Sequence, residues 1–216
     1  MCRNWTQYVC SNAGRVPAAL ILVAGCWSVT QPLHGQSATL TVGVYDYAGV
    51  PHEVLSRAEE DAARILSRAG VKVKWMACPR PHEDAARGFT CTAIREQGGL
   101  FINVLRNAQA KQLGRPHSIY GETVHPSVAY VFAEKARTTA VGRGVPEHTV
   151  LGIVLVHEVG HLLLGPGSHS KDAGIMSDGF CLPVFQRAAQ GQFPLFTPHQ
   201  ARLIQTRLSE RASAVK

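Results

Sequence analysis

The chain has 216 residues, of which 45% are hydrophobic and 17% charged, with a formal net charge of +7. That is length and apolar content enough for one domain with a real core, and it excludes a disordered chain or a coiled coil. The basic residues are scattered without a Lys/Arg block, which excludes the concentrated cationic face of a nucleic-acid binder.

Residues 1–37 read as an export signal. Arg3 and Arg15 supply positive charge, no acidic residue precedes Asp46, and Val16–Trp27 is an apolar stretch too short to span a bilayer comfortably. Gly35-Gln36-Ser37 offers one cleavage site. Val23-Ala24-Gly25-Cys26 offers another and resembles a bacterial lipobox, in which Cys26 would carry the lipid. On either reading the working domain is residues 38–216, secreted, periplasmic or attached to the envelope, and it meets a membrane only through a lipid on Cys26. Removing the leader takes two of the 22 basic residues and none of the 15 acidic ones, leaving +5.

Thr39–Tyr47 alternates with β-branched residues and predicts a strand. After Pro51, Val54, Leu55, Ala58, Ala62, Ile65 and Leu66 fall on one stripe of a helix that Gly70 stops. Val71–Cys78 alternates again, so strand, helix and strand form a right-handed crossover with parallel strands. Leu100–Leu105 is a third strand. Ser118–Val124, interrupted by glycine, suits a sheet edge, and Val128–Ala136 is a fifth strand. Thr149–Leu164 is almost wholly apolar apart from its His and Glu residues and predicts a buried helix. Thr197–Glu210 opens with a Thr cap and a first-turn proline and predicts the last helix. Of the cysteines beyond the leader, Cys78 and Cys91 bracket a polar loop, where export favours a disulfide; Cys181 is left over.

The chemistry concentrates in His157–Met176, HEVGHLLLGPGSHSKDAGIM. His157 and His161 are four apart, so on a helix both imidazoles face the same way and suit zinc. Glu158 lies beside them, placed to take a proton from a metal-activated water. Burying these groups in so apolar a helix is costly unless something binds them. A catalytic zinc takes three protein ligands and keeps one position open. Gly165-Pro166-Gly167 ends the helix and turns the chain back, which brings forward His169, with Asp172 as the rival third ligand.

The order of elements, followed by HExxH, a glycine turn, a third histidine and a methionine, resembles the metzincin clan of zinc endopeptidases. The usual run there is HExxHxxGxxH. Here Leu164 stands where the glycine would be, Gly165 comes one residue late and His169 two residues late. The longer form HExGHLLLGxxxHSxxGIM is similar to a group of exported bacterial metzincin-like proteases. The resemblance implies an α/β (α+β) fold: a twisted, mostly parallel five-stranded sheet with one antiparallel edge strand, a backing helix, an active-site helix, a Met-turn and a C-terminal helix. It implies Zn2+ held by His157, His161 and His169, Glu158 as general base and Met176 as the Met-turn beneath the metal. It also implies a monomer whose protein or peptide substrate lies along the edge strand, with the pocket beyond the cut walled by the Ser170–Cys181 loop. His117 and Tyr120 are candidates for steadying the oxyanion, against the plain alternative of ordinary edge-strand residues. No room for an inhibitory pro-segment is expected between leader and first strand. Two rival readings share the site: an envelope zinc-binding protein without activity, and a zinc amidase acting on cell-wall peptides. An intact Glu158 argues against the first, because a structural zinc needs no base.

Overall fold

The computed structural model describes residues 38–80, 91–115, 119–171, 174–180 and 182–214. Five strands, β1 (Ala38–Asp46), β2 (Val71–Cys78), β3 (Leu100–Leu105), β4 (Gly121–His125) and β5 (Val128–Phe132), form one sheet in the order β2-β1-β3-β5-β4. The pairs β1–β2, β1–β3 and β3–β5 are parallel, and β4 pairs antiparallel with β5 at the edge. The expected mostly parallel sheet with one antiparallel edge strand is therefore what the chain forms.

Helix α1 (His52–Arg68) connects β1 to β2. Its buried residues Ala58, Asp61, Ala62, Ile65 and Leu66 recur at helical spacing, as the apolar stripe predicts. Asp61 is the exception in kind: a carboxylate 2% exposed in an apolar stripe. It accepts a hydrogen bond from His148 Nδ1 at 2.8 Å and an ion pair from Arg64 at 3.2 Å, which offset its desolvation. Short helices α2 (Thr92–Glu96) and α3 (Asn107–Gln112) flank β3, and α4 (Ala133–Arg143) follows β5 directly. The strand expected over Val128–Ala136 ends at Phe132, and α4 takes over at Ala133. Its alanines suit a helix, and Ala133, Ala136 and Ala140 form the buried face there. Helices α2, α3 and a later short helix are likewise beyond the sequence expectation, all of them too brief for their periodicity to stand out. The edge strand starts later than expected, at Gly121 rather than Ser118.

Helix α5 (Glu147–Leu164) is the longest among the described residues at 18 residues. Its mean hydropathy of 1.2 would suit a membrane span, but 72% of it is buried inside the protein, so it is a core helix. It crosses α1 at Gly152, where an added Cβ would stand 2.8 Å from the Ala58 carbonyl oxygen and 2.9 Å from Asp61 Cβ. Two more helices complete the fold, α6 (Leu182–Ala189) and α7 (Pro198–Ala214).

The strand alternation divides the core. Leu40, Val42, Val44, Leu100, Ile102, Val104, Ala129 and Val131 join the main cluster with α1 and α5. The opposite face carries a smaller cluster of Cys78, Cys91, Ile94 and Phe101. A disulfide joins Cys78 to Cys91, with Cα atoms 5.8 Å apart. It closes a loop of separation 13, so replacing both cysteines with alanine is expected to cost about 3 kcal/mol in a urea melt. Because this cluster and α5 do not share a core, hydrogen exchange of the α5 amides in that variant should match the parent. Faster exchange in α5 would show that the two faces are coupled after all.

Candidate metal centre

The histidine pair follows from α5 itself: four residues of helix put His157 and His161 on one face, with ring centroids 4.6 Å apart. The third member depends on how α5 ends. Gly165 has φ +92° and donates its N–H to the His161 carbonyl at 2.9 Å, and Gly167 has φ +73°. These backbone conformations are strained for a residue with a Cβ, and they turn the chain back on the helix. The return is pinned where the Ser170 N–H donates to the Met176 carbonyl at 2.7 Å.

The turn brings His169 to the pair. The three Nε2 atoms lie 3.1 Å (157–161), 3.2 Å (157–169) and 2.9 Å (161–169) apart. Nitrogens bound tetrahedrally to one zinc at about 2.0–2.1 Å stand about 3.3 Å apart, so the set fits that ion closely. The far nitrogens explain why the near ones are free. His157 Nδ1 donates to the Ile175 carbonyl at 2.7 Å, an oxygen that can only accept, which leaves Nε2 as a bare lone pair. His169 Nδ1 faces Asp178 Oδ1 at 3.0 Å, and His161 Nδ1 meets Ser168 Oγ at 3.0 Å. Lone pairs converging within about 3 Å repel one another unless a cation sits among them. Burial lowers His157 below its ordinary value, favouring its neutral ring, and lowers His161 to about 4, so the His161 ring stays neutral in mildly acidic solution. Asp172, the rival third ligand, lies outside the described residues, as do His117, Cys181 and Cys26.

Glu158 is 3% exposed and faces the edge strand. Burial raises its carboxyl to about 8, against a weaker opposing hydrogen bond from the Thr123 hydroxyl, 3.5 Å from Oε2. A dication beside it would draw that value down again. Room for the carboxylate comes from Gly121: an added Cβ there would stand 2.6 Å from Glu158 Oε1 and 2.7 Å from the Tyr130 carbonyl oxygen. Gly121→Ala should therefore displace Glu158 or the edge strand, which, on the hydrolytic role proposed below, lowers kcat by roughly 10²-fold with metal content unchanged. Steady-state kinetics beside metal analysis would check it, and an unimpaired kcat would mean that Glu158 has no fixed position to lose.

Met176 is fully buried. A Cβ on Gly160 would collide with its Sδ, so the glycine inside HEVGH is what lets the methionine pack directly against α5. Tyr120 sits just ahead of β4 rather than in it, and its hydroxyl lies 3.0 Å from Thr139 Oγ1 on α4. Phe180 packs edge-on to His157 at 5.3 Å. Asp178, Ser168 and Gly121 were not singled out from the sequence. Nothing in their local sequence marks them, since each acts on a residue in another element.

These groups line a cleft of about 950 Å³ between β4, the end of α5, the Ser177–Phe180 segment and α7. No family model matches the sequence, and neither does any curated protein. Among solved structures, the chain is similar to the archaemetzincin of Methanopyrus kandleri, with a TM-score of 0.44 and 17% identity over 82% of this chain and 99% of that one.

Proposed function

We propose that the protein is an exported zinc endopeptidase in which His157, His161 and His169 hold the metal and Glu158 is the general base. One observation carries this reading: three histidine nitrogens converge on a point beside a buried carboxylate in an open cleft. A structural zinc is enclosed by four protein ligands, whereas three leave a coordination position for the reaction. Zinc bound there supplies Lewis acidity, which acidifies water and polarises a carbonyl. Glu158 removes the proton from the attacking water and returns it to the leaving amine. The Ile175 carbonyl and the Asp178 carboxylate orient the His157 and His169 rings. Among the described residues the outer side of β4 has no strand neighbour in the sheet, so an extended peptide can add to it by main-chain hydrogen bonds. Export is supported by the leader-like composition of residues 1–37 and accords with the Cys78–Cys91 disulfide.

The test is incubation of the zinc-loaded protein with an unfolded protein and a mixed peptide set, read by mass spectrometry. Cleavage that a chelator stops and zinc restores is the expected result. Folded protein carrying one zinc that cuts neither would sink the general endopeptidase reading.

A further inference from the structure

The cleft does not end at the histidines. Along β4 it runs to the β4–β5 turn, where α7 closes it with Arg207, Glu210 and Arg211. Arg211 donates to three carbonyl oxygens, of Gly98 at 3.3 Å, Pro126 at 3.2 Å and Leu162 at 3.3 Å. These acceptors fix the guanidinium in place without neutralising it. Arg207 lies one turn earlier on the same face, and its Nε reaches Glu210 only at 4.0 Å. Burial and the Arg207 charge together push Arg211 below its ordinary value, as expected of two crowded cations. Elsewhere in the cleft Glu122 pairs with Arg115 at 2.7 Å, Asp178 holds the His169 ring at 3.0 Å, and Glu158 is buried against Thr123 and the edge strand, away from α7. The α7 end therefore carries two guanidiniums against one carboxylate. Arg207 is the exposed member of the pair, its side chain 57% accessible.

We propose that Arg207, backed by Arg211, is a specificity determinant that selects an acidic side chain in the bound peptide. The proposal rests on the endopeptidase reading and goes beyond it in naming the substrate's chemistry. The strand sets the distance. Thr123 faces Glu158, whereas Pro126, three residues on, touches Arg211. Pro126 lies in the turn just past His125, the end of β4, so the acidic residue binds a few positions from the cut bond, toward that end of the strand. Antiparallel pairing, the more stable arrangement, puts the peptide's amino-terminal side at the His125 end of β4. The selected Asp or Glu is thus on the amino side of the cut. Such a partly exposed pair gives a preference of about threefold to fivefold at low salt, fading as salt rises.

Two arms test this on the zinc-loaded protein. In the first, a peptide mixture is digested by the parent, Arg207→Glu and Glu210→Gln, and the cut sites are sequenced. Asp and Glu should be enriched a few residues before the cut. The enrichment should strengthen in Glu210→Gln and turn toward Lys and Arg in Arg207→Glu. Cleavage without charge bias, or with a bias that Arg207→Glu leaves unchanged, overturns the subsite while the endopeptidase reading stands. In the second, Glu158→Gln protein is titrated with two fluorescent octapeptides differing only by Glu or Lys at one central position. Tighter binding of the Glu peptide, reversed by adding Arg207→Glu, supports the subsite even if the first arm shows no cutting. Equal binding of the two peptides overturns it.

Discussion

Glu158→Gln is expected to lower peptide hydrolysis by about 10²–10⁴-fold while the protein still binds one zinc. The amide keeps the size and the contact with the edge strand but cannot accept the water's proton. The side chain is 3% exposed and packs against β4 at Gly121, so a neighbouring base could take its place only by moving the strand. Glu122 is the other carboxylate near it, and that group is held by Arg115 at 2.7 Å. The measurement is kcat and zinc stoichiometry on the same preparations. A variant that retains zinc and most of its activity would remove Glu158 from the chemistry. One that loses zinc as well would make it part of the metal site instead. Because the substitution also removes a costly buried ionisable group, the variant should melt no lower than the parent.

His161→Ala is expected to weaken zinc binding by on the order of 10²–10³-fold, roughly one ligand's share of the affinity of such a site. Asp178→Asn acts one step out, through His169, and is expected to cost about 10–100-fold. The gradation matters, because a mere collapse of the loop would affect both variants alike. Competition with a chromogenic chelator gives the affinities. Retention of parental affinity by His161→Ala would exclude the three-histidine set. Thermal stability should follow occupancy: at a hundredfold excess over Kd, bound zinc contributes about 2.7 kcal/mol, and a chelator removes it.

Acid adds a second route to the same loss. Without a cation beside it, the His161 ring titrates near 4 in the fold and near 6.5 when unfolded, because burial penalises the imidazolium. The unfolded chain thus binds more protons between those values, and stability rises with pH across that window. The contribution is complete above about 6.5 and is lost as pH falls toward 4. Bound zinc deepens the dependence, since it too requires the neutral ring.

Much of this was legible in the sequence because it depends on local periodicity. The stripe of α1, the alternation of β1 and β2 and the apolar run of α5 are each written in one segment. So is the facing of His157 and His161, which a helix imposes on any two residues four apart. The Gly165-Pro166-Gly167 turn also announced itself, since only glycine accepts its backbone without strain. α4 was misread because the Val128–Ala136 run passes from strand to helix with no proline or glycine between them. What the sequence could not decide was which groups meet across the fold. That β4 lies against α5 follows from the strand order, and it is this that gives Glu158 its burial and Gly121 its purpose. His169 joins the pair only because the returning loop is pinned at Ser170 and Met176. The partners of the rings, at Ile175, Ser168 and Asp178, and the reach of Arg207 and Arg211 into the cleft, are likewise contacts between segments. Local pattern specifies the elements and which way their side chains point. Proximity between elements is set by packing of the whole core, and there the site acquires its third histidine, its buried carboxylate and its cationic end.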